Sequence, residues 1–449
     1  MKSFISGLLL LILAAGFSQA QVNIPFEEYT LPNGLKVILH EDNSVPITAV
    51  NIWYHVGSAY ERPGRTGFAH LFEHMLFQGS QNVGDDQHFG MIQEAGGSLN
   101  GSTSNDRTNY FETVPSNFAE MVFWLESDRM GFLLPAMTQE KLDNQRDVVK
   151  NERRQRVDNQ PYGRSFERLH ALLYEPSHPY SWSVIGSMDD LSAASLEDVK
   201  EFFRLYYTPN NASLVVAGEF DKKRTKDWIG RYFGDIPRGA PIDKLKIQQP
   251  TLSEDKRETM EDRVQLARLY LYWHSTPLTG PDDATLDILA DVLSGGKNSR
   301  LYKVLVYEKQ IAQSVFTSQI SRSLAGIFGI TVTAKPGVGL SEIQSVVDEE
   351  IERLVRDGIT ERELARSKNS RKSDFIYGLQ SVGGKAERLN SFNVMWGDPA
   401  VINRELDRYA KVTLEDVRRA AATYLTKGRA ILSVVPMGKK DLEAKAVSN

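Results

Sequence analysis

Leu196-Glu197-Asp198-Val199 returns 218 residues later as Leu414-Glu415-Asp416-Val417, and this echo sets the organisation of the chain. Each copy is preceded by an oxygen-bearing side chain, Ser195 or Thr413, suited to capping the first turn of a helix. Each is followed at the same distance by a tyrosine, Tyr206 or Tyr424, and then by an apolar run that reads as a strand. Ala212-Ser213-Leu214-Val215-Val216 matches Ala430-Ile431-Leu432-Ser433-Val434 without a gap, so the second half repeats the first. Between them lies a polar stretch with Pro237, Pro241 and Pro250 and no apolar period, the composition of a linker.

Outward from the echo, Leu35 to Leu39, Ala49 to Tyr54, Leu266 to Trp273 and Gly326 to Thr333 read as strands. Phe118 to Phe132, Asp283 to Leu293 and Leu340 to Asp357 read as helices. The pattern predicts an α+β chain of two homologous domains, each an antiparallel-rich sheet packed with helices. The expected division is 21–235, a linker at 236–255, and 256–449.

The first twenty residues read as a secretory signal: Met1-Lys2 supplies the positive start, Leu8 to Ala15 the apolar core, and Ser18-Gln19-Ala20 a small-x-small cleavage site. The apolar run from Ile5 to Phe17 is shorter than the roughly 20 residues that span a bilayer. An exported protein, periplasmic or secreted after cleavage following Ala20, is expected. The absence of cysteine excludes a disulfide framework, so stability must come from an ordinary core. A net charge of -5 without long charged runs offers no electrostatic footprint for nucleic acid.

His70-Leu71-Phe72-Glu73-His74 carries the chemistry. On a helix it sets two imidazoles one turn apart on one face with a carboxylate beside them, the inversion of the commoner zinc-protease order His-Glu-x-x-His. A hydrolytic zinc normally takes three protein ligands plus water, so a further carboxylate is needed. The helix-like segment Lys141 to Asn159 and its flank offer Glu140, Asp143, Asp147 and Glu152, and spacing alone does not choose among them. The remaining histidines, His40, His55, His88, His170, His178 and His274, show no ligand spacing and read as structural or surface residues.

The stretch from Gly67 through His70, Glu73 and His74 to Ser80 resembles the active-site helix of the pitrilysin/insulysin zinc metallopeptidase family, and in particular the zinc-bearing subunit of mitochondrial processing peptidase-like heterodimers. The likeness extends to Gly96 to Ser104, to Val148 to Glu152, to His178-Pro179-Tyr180, and to Gly295 to Leu301. It implies a mitochondrial processing peptidase-like fold and one Zn²⁺ per chain held by His70, His74 and Glu152. It further implies Glu73 as general base toward the attacking water, and a substrate strand added along Leu99, Asn100, Gly101 and Ser102. The family's usual Ala after Asn100 is Gly101 here, which is expected to loosen the edge.

Two departures bear on mechanism. A Glu often found seven residues before the ligand Glu is Gln145, and an amide is no base. The Arg and Tyr with which complete family members grip substrate are replaced, in the segment Leu305 to Val315, by Val306 and Gln313. The resemblance therefore implies a zinc endopeptidase subunit acting on peptides or small unfolded proteins, completed by a homologous zinc-free partner that supplies Arg and Tyr. The rival readings are a non-catalytic peptide-binding or scaffold subunit and a self-sufficient homodimeric peptidase. Retention of both histidines, the base and Glu152 argues against a scaffold.

Overall fold

The computed structural model describes residues 22–426 and 428–446, and the predicted signal at 1–20 lies outside them. The first half runs β1 (Glu27–Thr30), β2 (Lys36–Glu41), β3 (Ile47–Tyr54), α1 (Phe68–Met75), α2 (Gln87–Glu94), β4 (Ser98–Thr103), β5 (Thr108–Pro115), α3 (Ala119–Ala136), α4 (Gln139–Arg153), α5 (Ser165–Leu173), α6 (Met188–Ala193), α7 (Leu196–Tyr206), β6 (Ala212–Gly218) and α8 (Lys222–Phe233). The second runs β7 (Lys256–Asp262), β8 (Arg268–Ser275), α9 (Asp283–Ser294), β9 (Ala312–Ile320), β10 (Gly326–Ala334), α10 (Leu340–Asp357), α11 (Glu361–Gly378), α12 (Val382–Trp396), α13 (Glu405–Lys411), α14 (Leu414–Tyr424) and β11 (Ala430–Pro436). Among the described residues no helix is long and apolar enough to cross a membrane.

The strand orders are β1-β2-β6-β3-β5-β4 and β7-β11-β8-β10-β9. Apart from the extra β1 they are one topology used twice. In each sheet the last strand inserts parallel to the first core strand, β6 on β2 and β11 on β7, and every other pairing is antiparallel. The echoed helices α7 and α14 begin on full capping boxes, Ser195 with Asp198 and Thr413 with Asp416.

The central strands are predominantly apolar because both faces are covered: every residue of β6 is buried, Ser213 included. One face of each sheet packs on helices of its own half. The other is covered by a helix from the opposite half. Val382, Ala386, Leu389 and Phe392 of α12 lie against Ile38, Ala49, Val215 and Ala217 of the first sheet. Leu169 and Leu173 of α5 lie with Tyr270, Tyr272, Ile327, Leu432 and Val434 of the second. Each large apolar side chain so buried is worth roughly 1.5–3 kcal/mol.

Two predicted helices differ in detail. The one over Phe118 to Phe132 extends to Ala136 but leaves helical geometry at Phe132 (φ -130°, ψ 22°). Pro135 lacks an N–H and its ring crowds the carbonyl four residues back, which breaks the turn there. The one over Lys141 to Asn159 is α-helical only to Arg153 and widens into a π-helical turn at Arg154–Asp158.

Candidate metal centre and peptide edge

Helix α1 presents two unlike faces. Ala69, Leu71, Phe72 and Met75 are buried in the core, while His70, Glu73 and His74 share the other side. Its start is fixed without a side-chain cap at Gly67, whose φ of 86° and whose approach to Gly186 (a Cβ would lie 2.8 Å from its Cα) require glycine. The buried Glu61 carboxylate takes over the capping by accepting the Gly67 N–H at 2.9 Å and the Ala69 N–H at 2.8 Å. Burial pushes the Glu61 pKa up to about 8, against the lowering effect of these N–H bonds.

Helix α4 lies across α1 and begins on the Thr138 cap. Leu142, Gln145, Val149 and Arg153 are buried, and the Arg153 guanidinium is tied to Glu167 at 2.5 Å and to the Gly186 carbonyl at 2.8 Å. The residue before it, Glu152, is thereby turned toward α1. Its Oε2 stands 3.6 Å from His70 Nε2 and 3.2 Å from His74 Nε2, and its Oε1 meets the exposed Arg156 at 2.6 Å. The three donor atoms lie within 4.8 Å of one another. Glu140, Asp143 and Asp147 are exposed on the other side of α4, so the alternatives left open by spacing are separated by geometry.

Electrostatics suit a cation. Burial, and then the neighbouring His74, lower the His70 pKa to about 4, so the imidazole is neutral with a lone pair to offer. Hydrogen bonding from His74, opposed by burial, lowers that of Glu152. Two imidazole nitrogens and a carboxylate oxygen are the donor set that zinc prefers. Glu73, on the same face, accepts a 2.7 Å hydrogen bond from the Thr103 hydroxyl. Burial raises its pKa and the Thr103 bond works against the rise.

Thr103 ends β4, which forms one edge of the first sheet opposite β1. The pairs are Leu99 with Glu112, Asn100 with Phe111, Gly101 with Tyr110 and Ser102 with Asn109. The hairpin closes with Ser104 N–H donating to the Arg107 carbonyl at 2.8 Å. Antiparallel alternation from that pair turns the backbone groups of Asn100 and Ser102 toward β5 and those of Leu99 and Gly101 out to the free edge. The Asn100 side chain accepts the Gly101 N–H at 2.9 Å. A Cβ on Gly101 would lie 3.2 Å from Glu73 Cγ, so the open edge passes directly over the carboxylate.

Gln145 is buried on α4 and donates to Asn144. Val306 packs against the second core and Gln313 is exposed on β9; the outward side chain of the Val306 turn is Tyr307, 75% exposed. Sequence reasoning assigned no role to Thr103, whose partner Glu73 lies 30 residues away, or to Glu61, which caps α1 from only six and eight residues before the N–H groups it accepts. It also missed two histidine clusters. His88 joins Glu112, Glu126 and Arg129 in a fully buried charge network, in which the guanidinium already serves as the cation. His170, His178 and His274 surround Tyr174 where α5 meets the second sheet.

The insulinase (peptidase family M16) model matches residues 36–181, and the peptidase M16 inactive domain model matches 193–371. The chain is 31% identical over 385 residues to zinc protease PqqE of Helicobacter pylori, spanning 84% of this chain and 85% of that protein. It is 25% identical to the uncharacterized zinc protease YmxG of Bacillus subtilis, over 92% of this chain and 98% of that one. Against the probable mitochondrial-processing peptidase subunit beta of Arabidopsis thaliana identity is 22%, over 91% and 78%. The crystal structure of a protease from Helicobacter pylori superposes with a TM-score of 0.87 at 27% identity, covering 92% of this chain and all of that one (100%). A peptidase M16 inactive domain from Pseudomonas fluorescens shares the fold at 18% identity, with a TM-score of 0.82 over 95% and 100%. Two histidines and a carboxylate drawn together beneath an open strand edge, in a chain so matched along its length, lead to one assignment: the protein belongs to the insulinase family, peptidase family M16.

Proposed function

We propose that the chain is a zinc-dependent endopeptidase subunit that hydrolyses peptides or small unfolded proteins. The observation that carries the reading is the convergence of His70, His74 and Glu152 on one point, with Glu73 beside it under the free edge of β4. His70, His74 and Glu152 would hold Zn²⁺, which when bound polarises the scissile carbonyl and makes water more acidic. Leu99 and the Gly101 carbonyl offer backbone groups to an extended peptide, Asn100 and Ser102 keep the strand in register, and Glu73 takes the proton from the attacking water. Thr103 holds the carboxylate in place for that transfer.

Oxyanion stabilisation is the part this chain lacks, since neither Val306 nor Gln313 replaces an Arg and Tyr pair. Losing one such donor typically costs on the order of 10²–10³ in rate. A homologous zinc-free subunit supplying both groups completes the site in this reading. We take residues 21–235 and 256–449 as its two domains, joined by 236–255, and export behind a signal cleaved after Ala20 as its route.

The test is hydrolysis of a quenched fluorescent peptide of about ten residues by the mature protein, alone and with its zinc-free homologue, with zinc content measured in parallel. Activity abolished by chelator, and lowered about 10²–10⁴-fold in Glu73→Gln at unchanged zinc content, is the expected result. Stoichiometric zinc without hydrolysis in any mixture overturns the peptidase reading, and full activity of a homodimer overturns the pairing.

A further inference from the structure

Helix α12, which the C-terminal half lays on the first sheet, carries polar residues into that contact, among them Asn390 and Glu387. Asn390 stays within it, donating to the Asn51 carbonyl at 3.1 Å, to Asn51 Oδ1 at 2.9 Å and to the Ser213 carbonyl at 3.2 Å. Glu387 reaches toward the peptide edge. Its Oε2 accepts from Asn51 Nδ2 at 2.9 Å, Trp53 Nε1 at 3.2 Å and Asn109 Nδ2 at 3.2 Å.

The third of these bonds sets the others. A carboxylate only accepts, so it holds the Asn109 amide with its NH₂ toward α12 and its oxygen toward β4. That oxygen accepts the Ser102 hydroxyl at 2.7 Å and Arg107 Nη1 at 3.1 Å. Arg107 Nη1 also donates to the Ser102 carbonyl at 2.8 Å, and its guanidinium lies 5.0 Å over the Trp53 ring. Ser102 is followed by Thr103, which holds Glu73. One carboxylate from the second half is thus linked through Asn109 to the strand end beside Glu73.

We propose that Glu387 is a positioning residue for the peptide edge: from the C-terminal half it fixes the Asn109 amide and, through it, the Ser102 end of β4. Its consequence for substrate rests on β4 being the peptide-binding strand, as read above.

The experiment is amide hydrogen exchange over residues 98–112 in the whole mature chain, with peptide KM and zinc content measured on the same preparations. Glu387→Ala is expected to accelerate exchange in the β4–β5 hairpin about tenfold while β1 and β2 are unchanged. Asn109→Ala is expected to do the same, and the double variant to add little, because both remove one linkage. Glu387→Gln, which retains an acceptor oxygen, is expected to restore most of the protection. With zinc unchanged, KM is expected to rise about fivefold in Glu387→Ala at nearly constant kcat. Unaltered hairpin exchange, acceleration spread evenly over the first sheet, or additive single variants overturn the proposal. Hairpin loosening as expected in a chain that neither binds nor cleaves peptide leaves the brace standing and removes the peptidase reading instead.

Discussion

The two halves of the molecule set the same pair of helices beneath the same sheet and fill the space between them differently. Helix α1 is followed by Gly79 at φ 78° and α9 by Gly296 at φ 88°. Counting back from these glycines, Asp287 and Asp291 occupy the places of His70 and His74. The second helix of each pair, α4 or α11, starts on a threonine cap, Thr138 or Thr360. In the first half its contribution is Glu152. In the second it is Arg371, whose guanidinium meets Asp291 at 2.7 and 3.0 Å and Asp287 at 3.4 Å, with the Ser367 hydroxyl on Asp291 at 3.0 Å.

The second half therefore carries its cation covalently, on its own side chain, and its acidic pair is satisfied within the fold. In the first half His70, His74 and Glu152 converge on one point, and the exposed Arg156 meets Glu152 at Oε1, not at the Oε2 that approaches the histidines. One backbone arrangement holds a salt bridge in one half and a candidate metal site in the other according to a few side chains, and this difference is why the proposed chemistry is assigned to the first half.

The sharpest way to break the comparison is to exchange the consequences of mutation. Glu152→Gln should lower zinc affinity and peptide hydrolysis about 100-fold or more, read by metal analysis and kcat/KM. If zinc and activity survive, the two sites differ in residues but not in function.

The joints between the halves differ as well. Glu387 and Asn390 serve the α12 joint, while His170 and His274 serve the α5 joint, their pKa values held down to about 3 and about 4, chiefly by burial. Both are neutral, folded or unfolded, above pH 7. As pH falls through the unfolded value near 6.5, the unfolded chain takes up protons that the folded one refuses, so stability falls. By pH 5 the loss should approach about 2 kcal/mol per histidine. Thermal unfolding between pH 7 and 5 measures it, and His170→Phe should flatten the dependence; an unchanged slope would take the histidines out of the account.

A smaller effect is expected from Asp291→Ala, which removes the acceptor for Arg371 and Ser367. Stability should drop by about 1–2 kcal/mol in urea unfolding while zinc content and peptide cleavage stay as in the wild type. Loss of zinc would show that the second cluster is more than structural. Smallest of all, Gly101→Ala places a methyl 3.2 Å from Glu73, Phe77 and Tyr110. If these side chains yield by a few tenths of an ångström, restricting the unfolded chain should raise stability by about 0.5 kcal/mol; a decrease would show that the edge has no room.

Much of this was legible in the sequence, for identifiable reasons. The repeat could be read because capping boxes and apolar strands are local patterns, and Ser195 with Asp198 forms the same box as Thr413 with Asp416. The face of α1 that carries His70, Glu73 and His74 could be read because helical periodicity places the three together. The choice of Glu152 needed the family likeness, since which side of α4 faces α1 depends on where Arg153 is anchored. Glu387, Thr103 and the Arg371 bridge left no trace, because each acts on a residue far away in the chain and no local spacing encodes that meeting. The covering of each sheet by the other half's helix was invisible for the same reason: an amphipathic stripe says that a face is buried, not on what.

That exchange of helices has a consequence for the molecule as a whole. Since α12 completes the first sheet and α5 the second, a cut in the connecting stretch at 236–255 would not yield two free-standing products. The fragments would remain clasped, each denied solubility without the other, and would come apart in one cooperative event.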